Sequence, residues 1–361
     1  MKIAIFHHYF DEIGGAELVL LHLAKKINAT IITTNINQDK INKLGFSKVK
    51  IISIGKIPKL DYLKQLFCLF KFSNLKLKEK YDFFIFGGCF TIPAAKYYSP
   101  NLWICFSPAR GLYDLRYYET SKYNFILQFF KFLTIKFDQS WVKHINKINV
   151  PSNLVKERVK KYYNLDSKVI YHPIDLQNFY YSSNRDYWLS VTRIDPYKRI
   201  ELQLKTFKRI KNKKLLIIGE PNKQNKKYFN KLKKDAPSNV IFMGGIYNKK
   251  DLADIYSKCS GFIATSKNED FGLSVIEAMA AGKPVVAGNE GGYKETVING
   301  KTGVLIDDIN EEKLTEAINK VDDELNKNPD KYRGACINQA KKFSVDNFIK
   351  QIKKEINDFV L

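Results

Sequence analysis

Short apolar runs alternate with helical stretches through the first half of the chain. The runs KIAIFHH, ATIITTN, KVKIISIG, YDFFIFGG, NLWICFS, INVPS and KVIYHPID have strand length, and helical stretches such as GAELVLLHLAKKI separate them. Continuous apolar strands separated by helices are typical of a parallel sheet covered on both faces. This half is therefore predicted to be a doubly wound, Rossmann-like α/β domain over residues 1–178.

The same alternation restarts at DYWLSV. Strand-like runs (KLLIIGE, NVIFMGG, GFIATS, PVVAG, GVLID) alternate with helical ones, which predicts a second Rossmann-like domain over 179–342. The tail FSVDNFIKQIKKEINDFV is predicted to form a helix over 343–361 that packs back on the first domain. Two such domains facing each other create a cleft at the carboxyl ends of their strands, where open α/β sheets bind ligands.

Length and composition agree with two globular domains. The chain has 361 residues, of which 45% are hydrophobic and 27% charged, and domains average about 150 residues. It has no run of about 18 apolar residues and no signal-peptide layout, which favours a cytoplasmic protein that does not span a membrane. Its five cysteines have no metal-type spacing and are expected to be reduced thiols.

The net charge of +23 is compatible with three kinds of partner: nucleic acid, an anionic membrane surface or an anionic substrate. A bias toward lysine that only makes solvated faces basic is the alternative. Binding of nucleic acid is not expected, because the sequence has no recognition-helix, RNP-like or zinc motif.

One basic segment favours a membrane surface. Residues 56–80 contain seven lysines and only two acids, among several Leu and Phe residues. A second stretch with the same mixture begins at residue 122, KYNFILQFFKFLTIKFDQSWVKHINK. Basic, aromatic-bearing amphipathic segments lie on anionic bilayers. The hypothesis is that the first domain docks peripherally on the inner membrane face. Alternatively, Phe and Leu pack against the sheet and the lysines are merely solvated.

The stretch NEDFGLSVIEAMAAGKP, residues 268–284, places an acid inside an apolar helix. Gly282 and Pro284 end the predicted helix. Glu277 lies in its middle, and a buried charge without a partner is costly. Its partner is expected to be either a bound ligand or a nearby lysine or arginine.

Two loops are expected to meet at one edge of the second sheet. The amides from Phe271 to Ser274 lie at the positive end of the helix, where Gly272 permits close backbone approach. VTRIDPYKRI supplies Arg193 and Lys198 after another strand. The loops could hold a diphosphate from two sides, unless Arg193 and Lys198 are ordinary surface charges.

These residues resemble a known family. EDFGLSVIE resembles the E-x7-E motif of family 4 retaining glycosyltransferases, which use nucleotide sugars and have the GT-B fold. GGAELVLLHLA, the stretch 150–175, TRIDPYKRI with its Arg-x4-Lys spacing and AGKPVVAGNEGGYKETVINGKTGVLID follow the family pattern in order. The resemblance covers nearly the whole chain, and mannosyltransferase-like members look most similar.

The resemblance implies roles for these residues. Glu269 is expected to face the donor sugar near its reacting carbon, while Arg193 and Lys198 neutralise the diphosphate. These three are the expected catalytic residues. Glu277 would then bind the hydroxyls of the nucleotide ribose, which answers the need for a partner.

The remaining donor contacts implied by the resemblance are mainly backbone groups. Phe271, Gly272 and Leu273 would bind the diphosphate oxygens, and Gly15 would approach the donor from the first domain. No Asp-x-Asp occurs in the chain, so no essential metal and no cofactor is expected, with Arg193 and Lys198 taking the place of a metal.

The expected reaction is the retaining transfer of a hexose from GDP-mannose or a UDP-sugar to a lipid-linked or cell-surface polysaccharide acceptor. The sequence departs from its relatives in ICFSPARGLYD, where Phe106 occupies the position of a family histidine. Phe106 and Arg110 are the acceptor-side candidates. Alternatives are a non-catalytic GT-B-fold protein, a GT-B epimerase and a basic protein that binds nucleic acid.

Overall fold

The computed structural model describes residues 1–58, 61–114, 125–183 and 185–359, without the side chains of 61–62 and 125–131. The chain divides into a first unit, Met1–His172 with Phe348–Leu361, and a second unit, Pro173–Asn347. The basic stretch from residue 122 to 131 therefore lies outside the described side chains.

These boundaries differ by a few residues from the predicted ones at 178 and 342. The residues after Pro173 belong with the second unit because the amide of Ile174 donates to the carbonyl of Phe343 at 2.9 Å. The ring of Phe179 also packs against Tyr256, with centroids 5.6 Å apart.

The first unit is built on seven short strands. They are β1 (Ile3–Phe6), β2 (Thr30–Thr33), β3 (Ile51–Ser53), β4 (Phe83–Phe86), β5 (Asn101–Ile104), β6 (Lys147–Val150) and β7 (Lys168–Val169). All pair in parallel, in the order β3-β2-β1-β4-β5-β6-β7. The runs are apolar because both faces of the sheet are covered, and β1, β4 and β5 are buried throughout.

The helices of the first unit lie between these strands. They are α1 (Gly15–Ile27), α2 (Gln38–Lys43), α3 (Asp61–Ser73), α4 (Phe125–Val142) and α5 (Asn153–Tyr163), with a 3₁₀ segment at Cys89–Lys96. One core cluster joins the sheet face to α3 through Phe6, Phe86 and Trp103 of the strands and Cys68 and Phe72 of the helix.

The second unit has six strands. They are β8 (Tyr187–Val191), β9 (Leu215–Ile218), β10 (Val240–Gly244), β11 (Cys259–Ala264), β12 (Val285–Gly288) and β13 (Gly303–Ile306). These also pair in parallel, in the order β10-β9-β8-β11-β12-β13. The prediction of two doubly wound parallel sheets is confirmed.

The remaining helices follow in chain order. They are α6 (Ile200–Arg209), α7 (Lys226–Asp235), α8 (Lys249–Lys258), α9 (Leu273–Ala280), α10 (Tyr293–Thr296), α11 (Glu311–Lys327), α12 (Arg333–Lys341) and α13 (Val345–Asn357). The tail after α12 contacts the first unit: Glu355 accepts from Lys168, and Phe359 packs on Phe83 with centroids 5.3 Å apart. None of the helices in the described ranges has the length and apolar character that crossing a bilayer requires.

Each sheet has one point where its strand order reverses. In the first sheet it lies between β1 and β4, and in the second between β8 and β11. The loops that leave the carboxyl ends of strands at such a point diverge and leave room for a ligand. The loops after β8 and β11 carry Arg193, Lys198 and Glu269, so the candidate residues of the second unit lie at its switch point.

Candidate active site

Hydrogen bonds to backbone carbonyls join the two loops at the switch point of the second unit. The hydroxyl of Thr265, just after β11, donates to the carbonyl of Lys198 at 2.7 Å. The amide of Lys267 donates to the carbonyl of Tyr197 at 2.8 Å. The loop after β8 is thereby fixed against the loop that leads into α9, which brings the predicted cations and acid to the same place.

Lys198 and Glu269 form an ion pair there. Lys198 Nζ donates to Glu269 Oε2 at 2.7 Å, and the two side chains are only 11% and 19% exposed. Burial lowers the pKa of Lys198, but the Glu269 carboxylate and Tyr197 together outweigh burial, so the pKa is raised overall. Lys198 therefore carries its charge at neutral pH in a place largely shielded from water.

Arg193 lies on the same loop but does not share this pair. Its guanidinium donates to the hydroxyl of Tyr197 at 2.8 Å, lies 3.7 Å from Asp195, and its side chain is 76% exposed. Of the two predicted cations, Lys198 is paired with Glu269, whereas Arg193, on the same loop, is exposed to solvent.

The turn into α9 needs glycine. Gly272 has φ of 90°, and a Cβ there would lie 2.8 Å from a ring carbon of Tyr293. Leu273 begins the helix, whose first amides have no acceptor within the helix. The side chain of Phe271 is buried and packs on Phe343, so Phe271 offers a ligand its backbone, as does Leu273 at the helix start.

The segment after β12 holds this loop from the other side. The amide of Gly292 donates to the carbonyl of Glu269 at 2.7 Å, and a Cβ on Gly291 would lie 2.5 Å from that carbonyl oxygen. The hydroxyl of Tyr293 reaches Glu269 Oε2 at 3.5 Å. Close packing of two glycines therefore places the backbone that carries Glu269.

A second ion pair supports the same loop. Glu290 accepts from the amide of Asn268 at 3.1 Å and pairs with Arg199 at 2.5 Å. The sequence interpretation missed Glu290, Tyr293 and Arg199. The adjacent glycines in NEGGYKE were the available signal, because paired glycines mark close backbone approach.

Glu277 finds a protein partner that was not predicted. The hydroxyl of Tyr256, on α8, donates to Glu277 Oε2 at 2.7 Å, and Tyr256 is fully buried. Burial raises the pKa of Glu277 to about 7, and the Tyr256 bond opposes that rise. The hydrogen bond to Glu277 thus comes from a phenol, and the charge of Lys249 also lowers the pKa of Glu277.

In the first unit, Gly15 begins α1 directly after the switch point. The preceding Gly14 amide donates to Glu17 Oε2 at 2.8 Å, and Glu17 Oε1 lies 2.8 Å from His7 Nε2. Burial raises the pKa of Glu17, but the hydrogen bond and charge of His7, together with backbone amides, outweigh burial and lower the pKa overall. His7, His8 and Glu17 offer ligand atoms within 4.8 Å of one another; that no metal is required remains a prediction.

The acceptor-side candidates of the first unit have structural partners. Phe106 packs on the ring of His172, with centroids 4.7 Å apart, and burial lowers the pKa of His172 to about 3. Arg110 donates to Asp114 at 2.9 Å, and Arg158 lies 3.3 Å from the same carboxylate. The side chain at the family histidine position thus packs in an apolar contact, while the ionic contacts brace the loop that follows β5.

Comparisons with known proteins agree with this architecture. Residues 177–343 match the family "Glycosyl transferases group 1". The O-antigen chain mannosyltransferase RfbU of Salmonella typhimurium is 27% identical over 305 residues, covering 77% of this chain and 78% of RfbU. An uncharacterized glycosyltransferase of Methanocaldococcus jannaschii is 29% identical over 195 residues, which span 53% of this chain and about half (52%) of that relative.

A solved structure of HepE from Anabaena, in complex with UDP and glucose, superimposes with a TM-score of 0.76 at 18% identity, covering 99% of this chain and 100% of HepE. This likeness confirms the predicted fold of two Rossmann-like α/β domains, the GT-B fold. The second half of the chain thus matches the group 1 glycosyltransferases, in agreement with the expected resemblance to family 4, and the similarity to named glycosyltransferases supports classification as a transferase.

Proposed function

We propose that the protein transfers a hexose, with retention of configuration, from a nucleotide diphosphate sugar to a lipid-linked or cell-surface polysaccharide acceptor. RfbU is described as an O-antigen chain mannosyltransferase, which supports mannose as the transferred sugar and a polysaccharide acceptor. The name of a Dictyostelium discoideum relative includes GDP-Man, which supports GDP-mannose as donor. HepE was solved with UDP and glucose, which supports UDP-sugars as the other candidates.

The observation that carries this proposal is the shielded pair of Lys198 and Glu269 beside the start of α9. Cleavage of the bond between sugar and diphosphate develops negative charge on the leaving group. Fixed cations and helix dipoles stabilise that charge without reorganising. Lys198, the amides at the start of α9 and the exposed Arg193 provide such groups at one sheet edge, so the diphosphate is proposed to bind there.

The two acids are proposed to have different tasks. Glu269, once Lys198 turns to the diphosphate, faces the sugar and accepts hydrogen bonds from its hydroxyls. Glu277 accepts hydrogen bonds from the ribose hydroxyls with the lone pairs that Tyr256 leaves available. No metal is proposed, because lysine and arginine supply the positive charge.

Turnover of a donor panel tests the proposal. The purified protein is incubated with GDP-mannose, UDP-glucose, UDP-galactose and UDP-N-acetylglucosamine, with and without EDTA, and release of the nucleoside diphosphate is measured. One donor is expected to turn over in both conditions, with the anomeric configuration of a transferred sugar retained by NMR. Binding of donors without turnover supports the non-catalytic alternative, and loss of turnover in EDTA contradicts the metal-free mechanism.

We also propose that the first unit docks on an anionic bilayer, because α3 turns an apolar stripe to solvent. Leu63, Leu66, Phe67 and Phe70 recur at helical spacing and are 44%, 61%, 46% and 67% exposed. Each of these four side chains is more than two fifths exposed, which supports the membrane hypothesis over a face that is buried against the sheet. An exposed apolar patch of this kind marks an interaction site.

The charges of α3 differ from those expected. Lys64 is buried, with Nζ 3.0 Å from Asp11 and 3.6 Å from the centre of the Tyr9 ring, and Lys71 donates to the carbonyl of Ile54. The lysines free to meet anionic lipid are therefore proposed to be the exposed ones on either side of the helix, such as Lys56 and Lys76.

A further inference from the structure

A groove of about 620 Å³ lies in the first unit beside the end of α3. Ile32 and Ile52, from neighbouring strands, line it together with Leu75 and Leu77 from the segment after α3. Phe70 of α3 also lines it. Ligand sites typically have volumes of about 300–1,000 Å³ and mainly apolar linings, so the groove has the size and chemistry of a binding site.

The groove exists because the sheet face is incompletely covered at its edge. β3 is the edge strand and only three residues long. α3 ends at Ser73, before the chain crosses this face. Ile52, Ile54 and Leu77 pack against the core but stay partly exposed. An apolar ligand would complete the coverage that α3 leaves unfinished.

The rim of the groove is basic. Lys76 and Lys78 line it and are exposed. Glu79 also lines the groove, but it is held by Lys2 at 2.7 Å and by Lys50 at 3.1 Å, so its charge is balanced by other lysines. An anionic group at the rim would therefore meet an excess of positive charge.

We infer that this groove binds the hydrocarbon chain of a phosphate-bearing lipid, with the lysines of its rim meeting the phosphate. Phe70 connects the groove to the exposed stripe of α3, since it lines the groove and is 67% exposed. A chain entering from a bilayer in contact with that stripe would thus reach an apolar lining directly. The inference deepens the proposed membrane docking and rests on it, but needs no assumption about the transferred sugar.

Titration of the intact protein with decyl phosphate, below its critical micelle concentration, tests the groove without a membrane or a donor. Isothermal titration calorimetry is expected to show one site with a negative heat-capacity change, the mark of apolar burial. Filling the groove with Ile52→Trp, or with Leu77→Trp if the first variant does not fold, is expected to weaken binding at least tenfold. Ile241→Trp is the matched control, because Ile241 lies exposed on the edge strand β10 of the other sheet and its replacement should leave the affinity unchanged.

The charged rim is tested with the double variant Lys76→Glu, Lys78→Glu. This variant is expected to lower the affinity for decyl phosphate severalfold. The control is the double variant Lys226→Glu, Lys227→Glu on α7. Equal binding of decyl maltoside would overturn the phosphate preference, and equal binding of inorganic phosphate would overturn the apolar chain. Unchanged affinity in both folded tryptophan variants would overturn the groove itself. These outcomes are independent of vesicle binding and of donor turnover, so failure here is distinguishable from failure of the proposed function.

Discussion

The two units have the same kind of sheet but opposite surfaces beside it. In the second unit, acids and cations meet at the switch point and are shielded from water, as Lys198 and Glu269 show. In the first unit, Leu and Phe side chains are exposed along α3. The second unit thus presents paired charges at its switch point, and the first unit presents exposed apolar side chains along α3.

The difference lies in the loops and helices beside the two sheets, since the sheets themselves are alike. At the switch point of the first unit, Glu17 caps α1 and bonds His7, so its charge is used for local structure. At the switch point of the second unit, Glu269 is held by a lysine that a diphosphate could attract away. The predictions below test whether this division between the units is real.

Lys198→Ala is expected to have the largest effect. It removes the shielded cation that is proposed to stabilise the leaving diphosphate, and loss of one such preorganised group costs about 10²–10³ in turnover. Initial rates of nucleoside diphosphate release with the preferred donor measure the effect. Lys226→Ala, which removes an exposed lysine of α7 in the same unit, is the matched control and should retain the wild-type rate.

Thermal unfolding is measured together with these rates, because Lys198→Ala also leaves Glu269 without its lysine partner. A rate within threefold of wild type in a folded variant would show that the pair is structural. The proposed catalytic role of the ion pair in the second unit would then be wrong.

Tyr256→Phe is expected to weaken donor binding about tenfold, since a hydrogen bond to a charged group contributes about 1.5 kcal/mol or more. If Glu277 binds ribose as a carboxylate, affinity rises as pH rises through its pKa of about 7. Removing the phenol withdraws a bond that favours the carboxylate, so the midpoint moves to higher pH. Nucleotide affinity measured from pH 5.5 to 9 reports both effects.

A purely structural role for Tyr256 would lower the unfolding temperature without moving this midpoint. Glu277→Gln is the companion variant, because an amide does not titrate and its affinity should be independent of pH over the same range. A pH dependence that persists in Glu277→Gln would assign the titration to another group.

The sequence was sufficient for the outline of the second unit and for the loop that carries its acids. A glycine before an apolar run predicts a helix start, and α9 does begin at Leu273 after Gly272. The partner of Glu277 was not predictable, because Tyr256 lies 21 residues away in a different helix, and only packing brings the two together. The same holds for Glu290, whose contact with Arg199 spans 91 residues.

Which face of α3 is buried and which is exposed could not be predicted from the sequence, for a different reason. Its apolar residues surround the helix, so periodicity does not say which stripe meets the sheet. The structure buries Cys68 and Phe72 and exposes Leu66 and Phe70. It also buries Lys64, which composition alone would place in water, because Asp11 in a distant loop supplies its partner.

The double variant Leu66→Ser, Phe70→Ser is expected to reduce vesicle binding about fivefold, since partial insertion of two such side chains contributes about 1 kcal/mol. Flotation with vesicles containing anionic lipid measures it, at low and at high salt. Ile241→Ser, Met243→Ser is the control, because these two residues are exposed apolar side chains of the second unit. An equal loss of vesicle binding in the control, or wild-type binding in the α3 variant, would contradict the proposal that α3 docks on a bilayer.

Tyr293→Phe is expected to have the smallest effect, no more than about twofold on turnover. Its hydroxyl lies 3.5 Å from Glu269, at the outer limit of a hydrogen bond, whereas Lys198 lies 2.7 Å from the same oxygen. The ring that packs against the Gly272 turn remains in the variant, so the backbone that carries Glu269 should keep its position. If kcat fell as far as in Lys198→Ala, the phenol would have to bond the reacting sugar directly, and the charge of Lys198 would no longer account for what distinguishes the second unit from the first.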